Sequence, residues 1–122
     1  MSVEIRKITA DDPLLLPYQS DVIRASTEIW AGFYINELGL VWGIVPGSLL
    51  SETAYVWSIS TDVVKKCPKT LLRASRQWLK EMSENYSILV GLCKQDTAYV
   101  KHLGAEFSGN FDGFARFEIK VR

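Results

Sequence analysis

Segments with a two-residue apolar period alternate with segments of helical period along these 122 residues, predicting an α+β domain with a mixed central sheet. Three observations carry that expectation. The final segment alternates Ala115, Phe117, Ile119 and Val121 with Arg116, Glu118 and Lys120, a strand with one dry face and one wet face. Tyr86 to Cys93 is nearly continuously apolar, as a central strand covered on both faces would be. Between the β-patterned stretches, Leu71, Leu72, Ser75, Trp78, Leu79 and Met82 recur at helical spacing up to Asn85. Pro68 precedes them and suits a first helical turn, where a missing N–H costs nothing.

The remaining elements follow from local signals. Val3 to Ile8 reads as a first strand, closed by Asp11-Asp12-Pro13. A helix is expected from Ser20, whose hydroxyl can cap it, through Val22, Ile23, Ile29 and Trp30 to a stop at Gly32. Phe33–Leu38 and Leu40–Val45 then read as a hairpin hinged at Gly39, or as one longer bent strand, ended by Pro46-Gly47. Ser48 to Thr53 reads as loop, and Ala54 to Ser60 as a strand with Tyr55, Trp57 and Ile59 on one face. After the central strand, Asp96 can cap a short helix through Leu103, with Gly104 at its C-terminal stop. Phe107 leads through Ser108-Gly109-Asn110 and Asp112-Gly113 into the last strand. The expected order is β-α-β-β-β-α-β-α-β-β. No repeat or linker divides it, so residues 1–122 are expected to form a single domain.

Composition excludes several classes. With 48% hydrophobic and 23% charged residues, the chain is neither disordered nor a coiled coil. Its longest apolar run, Leu38 to Val45, falls far short of a membrane span, and residues 1–7 lack a signal-peptide core. An intracellular protein that is not secreted and binds no membrane is expected. Cys67, Cys93 and His102 are the whole cysteine and histidine inventory, too few for a structural zinc site, so no metal is expected.

The formal net charge of zero hides an asymmetry. Residues 1–61 carry three cations against seven acids, and residues 62–122 carry eleven against seven. Six cations fall between positions 65 and 80 with no acid among them: Lys65, Lys66, Lys69, Arg73, Arg76 and Lys80. Lys65, Lys66 and Lys69 gather at the expected start of the long helix, where the macrodipole is already positive. They form either a solvated face or an anion site, since a helix N-terminus accepts phosphate or pyrophosphate. A phosphate-cradling loop normally needs glycine, and none occurs between Thr61 and Gly91. Arg73, Arg76 and Lys80 stand three and four apart, so they line one stripe opposite the apolar one. That stripe could steer an acidic protein partner or a second copy of the chain, or merely solubilise the helix.

No catalytic residue emerges. Cys67 sits among lysines, a setting that favours a thiolate, but no histidine lies near it in sequence to act as base. Cys93 reads as a buried strand residue, and His102 as a surface or capping residue of the short helix. The carboxylates are scattered. The aromatics follow strand alternation, which points to core and argues against nucleic acid, although Tyr55 and Trp57 precede the basic segment.

The element order, with Gln95-Asp96-Thr97-Ala98-Tyr99-Val100-Lys101-His102-Leu103-Gly104-Ala105-Glu106-Phe107, resembles the GNAT N-acetyltransferases. The resemblance implies a GNAT-like mixed sheet and, for an active member, acetyl-CoA as cofactor. A narrower similarity is to the small GNAT-like internal virion protein A family of short-tailed phages. It is carried by Trp57 to Ser60, the long basic helix and Leu-Gly-Ala-Glu-Phe at 103–107. That similarity implies a phage protein acting in virion assembly, in the host cytoplasm or the particle, through a phage structural protein, a host protein or another copy of itself. Active GNAT enzymes hold the pyrophosphate with Arg/Gln-x-x-Gly-x-Gly/Ala before the long helix; here the segment is Lys65-Lys66-Cys67-Pro68-Lys69-Thr70. Many also place a general-acid tyrosine four residues before the Leu-Gly glycine, where this chain has Val100. Tyr99 is adjacent but rotated by about 100° on a helix. These departures imply a fold that has lost acetyl transfer and uses no cofactor. The alternatives are an acetyl-CoA-dependent enzyme gripping its cofactor through Lys65, Lys66 and Lys69, or a factor that inhibits a host protein.

Overall fold

A computed structural model describes residues 3–18, 20–47, 52–66, 68–93 and 97–122. It contains β1 (Val3–Ile8), α1 (Asp21–Ala25), β2 (Glu28–Tyr34), β3 (Glu37–Pro46), β4 (Thr53–Ser60), α2 (Pro68–Met82), β5 (Ile88–Cys93), α3 (Thr97–His102), β6 (Glu106–Phe111) and β7 (Phe114–Lys120). Short 3-10 turns at Pro13–Tyr18 and Asp62–Lys66 complete the set. The strands form one mixed sheet in the order β1-β2-β3-β4-β5-β7-β6, the expected α+β succession. The chain divides into two compact units, Met1–Pro46 with Val56–Leu71, and Gly47–Tyr55 with Leu72–Arg122.

In the first unit β1, β2 and β3 form an antiparallel meander. Ile29, Ala31 and Val41 are buried on one face, and Trp42 and Ile44 on the other, so this sheet is covered on both sides. Trp30 lies directly opposite Trp42, and their rings stack with centroids 6.2 Å apart. Ser20 caps α1 as expected, its Oγ accepting from the Ile23 N–H at 3.3 Å.

The helix expected to reach Gly32 stops at Ala25, and Ile29, Trp30 and Gly32 belong to β2. The reason is long-range: pairing Trp30 with Trp42 outweighs a helical spacing that only a few residues satisfy. The hairpin also turns elsewhere. Its turn is Ile35-Asn36, both left-handed with φ of 49° and 62°, while Gly39 lies within β3 as the extra residue of a register shift, since Gly32 pairs with Leu40 and Phe33 with Leu38. An Asn suits that geometry and a β-branched Ile does not, which hides the turn from a sequence reading. The close of β3 at Pro46 agrees with expectation, and the loop expected after it lies outside the described residues at 48–51.

Close packing in this unit centres on Gly43. A Cβ at that position would stand 2.5–2.7 Å from Cζ2, Cε2 and Nε1 of Trp57. The Trp57 indole is held there by its Nε1–H, which donates to Ser26 Oγ at 2.7 Å, and Ser26 donates onward to the Val22 carbonyl at 2.9 Å.

In the second unit β4 and β5 run parallel through Thr53–Ile88, Ala54–Leu89 and Tyr55–Val90, and β7 lies antiparallel to both β5 and β6. Ala54 and Leu89 are fully buried, and Trp78, Met82, Val100, Phe117 and Ile119 nearly so. Trp78 and Met82 bear out the apolar stripe of the long helix; the Leu71 side chain lies outside the described residues. The helix ends at Met82, three residues before Asn85. Asp112-Gly113 forms the last hairpin turn with φ of 50° and 84°. Arg122 closes this unit, donating to the carbonyls of Ser83 and Glu84 and to the Glu52 carboxylate at 2.8–3.0 Å.

Candidate functional site

Two basic regions frame the site question, one before α2 and one along it. Thr61 anchors the first. Its N–H donates to the Gly39 carbonyl at 2.8 Å, its hydroxyl donates to Leu38 O at 2.6 Å, and its Oγ1 accepts from the Val63 N–H. The turn Asp62–Lys66 follows, so Lys65 and Lys66 precede the helix rather than sit on its first turn; only Lys69 does. Lys65 Nζ meets Asp62 Oδ1 at 3.4 Å, both side chains being exposed. This acid, three residues before Lys65, stands just outside the acid-free span and lowers the local positive charge. Lys69 is exposed; the Lys66 side chain and all of Cys67 lie outside the described residues.

The second region is on α2 and α3. Arg73, Arg76 and Lys80 are all exposed. Arg76 Nη2 donates to the His102 carbonyl at 3.3 Å, tying the middle of α2 to the end of α3. That end is a closed cap: the Ala105 N–H donates to Val100 O, the Gly104 N–H to Lys101 O, and Gly104 takes φ of 92°, as a C-terminal glycine should. Lys101 and His102 are exposed there, while Val100 is buried at 9% exposure. Asp96, the expected cap, and the Tyr99 side chain lie outside the described residues. Cys93, expected to be buried, is half-buried.

Half-burial of Tyr55 on β4 pushes its phenol up. The Thr9 hydroxyl, donating to Asp11, holds that exposed carboxyl below the usual carboxylate range. Among the described residues no three His, Cys, Asp or Glu side chains gather to hold a metal, and no helix is long and apolar enough to cross a membrane. The Arg76–His102 link joins positions 26 apart and leaves no trace in the sequence, although Lys101-His102 at the end of a short helix was visible.

An IAA acetyltransferase from Bacillus cereus superposes with a TM-score of 0.67 at 15% identity, over 98% of this chain and 99% of that one. The fold is that of the GNAT acetyltransferases. The GNAT domain of S. lividans PAT matches with a TM-score of 0.66 at 14% identity, over 97% of this chain and 90% of that one. A cAMP-binding acyltransferase from Mycobacterium smegmatis matches with a TM-score of 0.66 at 10% identity over 98% of this chain, which spans 44% of that larger protein. No protein-family model and no curated protein matches the sequence. At these identities the GNAT likeness is one of fold.

Proposed function

We propose that this GNAT-fold chain acts through protein–protein contacts in phage virion assembly rather than by acetyl transfer. The observation that carries the reading is Val100. Where the GNAT pattern places a general-acid tyrosine, this chain buries an apolar side chain that has no proton to give. The segment before α2 supports it. Lys65-Lys66-Cys67-Pro68-Lys69-Thr70 has no glycine to let backbone N–H groups close around a pyrophosphate, Pro68 removes one donor outright, and Lys65 is already engaged by Asp62. These residues do not fit the diphosphate of acetyl-CoA. The assembly setting rests on the resemblance of residues 57–60 and 103–107 to the internal virion proteins.

The second reading is an acetyl-CoA-dependent N-acetyltransferase, favoured by the acetyltransferases that share this fold. In that case Lys65, Lys66 and Lys69 would supply the cofactor's counter-charge. Deleting the gene from a phage that carries it, with mass spectrometry of purified particles, separates the two. The assembly reading expects the protein in or on wild-type particles and defective particles in its absence. Normal particles without the protein, together with acetyl transfer by the purified chain, would overturn it.

A further inference from the structure

We infer that α2 and the end of α3 together present one basic docking face for a short acidic segment of a protein partner; this rests on the contact-based reading above. Arg73, Arg76 and Lys80 line the exposed side of α2, and the Arg76–His102 bond brings Lys101 and His102 of α3 to the same face. His102 O is one of the last carbonyls of α3, which have no acceptor role within the helix; Arg76 fills that role with one of its five N–H groups and keeps the rest.

Charge pairing separates this face from the cations of residues 1–61. Each cation of residues 1–61 meets a carboxylate: Arg6 with Glu4, Lys7 with Glu28, Arg24 with Asp21. Arg116 and Arg122 are likewise engaged by Glu118 and Glu52. Among the described residues, no carboxylate lies within ion-pair distance of Arg73, Arg76, Lys80, Lys101 or His102. Of the seven acids of residues 1–61, Glu4, Asp21, Glu28 and Glu52 are committed to internal ion pairs, and Asp11 and Asp12 accept hydrogen bonds within their own turn, which argues against a second copy and for carboxylates brought by another protein. Arginine forks match carboxylates bidentately, so Arg73 and the free edge of Arg76 suit acidic side chains.

Two features favour a short acidic segment over nucleic acid. Glu81 and Glu84, both exposed, follow Lys80 directly and would repel a polyanion running on past the stripe. Among the described side chains, the exposed aromatics of this unit, Phe107 and Phe114, lie on β6 and β7 rather than among the stripe residues, so no base-stacking platform is seen beside the charge among them.

The test reverses Arg73 and Lys80 to glutamate and leaves Arg76, which ties α3, in place. Fluorescence anisotropy follows a fluorescein-labelled peptide of alternating glutamate and serine, its glutamine counterpart, and a single-stranded oligonucleotide of equal charge. The full-length chain should bind the acidic peptide alone, and R73E/K80E should weaken it at least about tenfold with an unchanged melting curve. R73K/K80R should keep most of the binding. Equal affinity of R73E/K80E for the peptide, or preference for the oligonucleotide, overturns the proposal. Particle incorporation distinguishes the two levels: a chain that enters particles but whose incorporation and peptide binding ignore R73E/K80E retains the assembly reading and loses this face.

Discussion

Replacing Gly43 with alanine tests the close packing of β3 against Trp57. The added methyl would sit 2.5–2.7 Å from three ring atoms of Trp57, whose indole cannot swing away without giving up its bond to Ser26. Overpacking of this kind costs about 1–3 kcal/mol. Loss of the Trp57–Ser26 bond adds about 0.5–1.5 kcal/mol. Against these stands about 0.4–1 kcal/mol from the stiffer unfolded chain. The net expectation is a loss of about 2 kcal/mol, or roughly 6–10 °C in Tm for a domain of this size. Thermal and urea melts of Gly43→Ala, Trp57→Phe and the double variant complete the cycle. Phenylalanine lacks Nε1 and the second ring's atoms, so Gly43→Ala should cost at least about 1 kcal/mol less in the Trp57→Phe background. Equal costs in both backgrounds, or a Gly43→Ala protein that melts with the wild type, would refute the packing argument.

Three further expectations follow from the same geometry. Trp78→Ala, which empties the buried centre of the α2 stripe, should cost roughly 3–5 kcal/mol by chemical denaturation. Gly104→Ala should cost about 1 kcal/mol from backbone strain alone, because φ is 92° and an added Cβ would meet nothing within 4 Å; Gly104→Asn should recover part of it. Asp11 should titrate below the usual aspartate range in an NMR pH series, and Thr9→Val should return it towards that range. Since the folded-state value is depressed, its small stabilising effect is present above the unfolded value and disappears as pH falls through the folded one.

The sequence made most of the fold legible where a single local rule decides an element. Ser20 as a cap, Pro68 as a first helical residue, Gly104 as a helix stop and Asp112-Gly113 as a turn all announce themselves within four residues. What stayed hidden was decided by partners far away. Nothing around Trp30 shows that Trp42 waits across the ladder, so Ile29 and Trp30 pass for a helix face. Ile35 in a left-handed turn breaks the residue preference that would reveal the hairpin. At the site, the cationic residues and the missing glycines were legible, and Asp62 beside Lys65 was there to be seen at a spacing of three. The bond from Arg76 to His102, which joins two basic segments into one face, required the fold.

Titration calorimetry with acetyl-CoA separates the proposed contact role from acetyl transfer. No saturable heat is expected beyond weak binding that vanishes as salt rises, because the phosphates would meet lysines such as the exposed Lys65 and Lys69 without a glycine loop to enclose them. A micromolar Kd that persists at physiological salt and is lost in the Lys65→Ala/Lys66→Ala/Lys69→Ala variant would contradict the contact role.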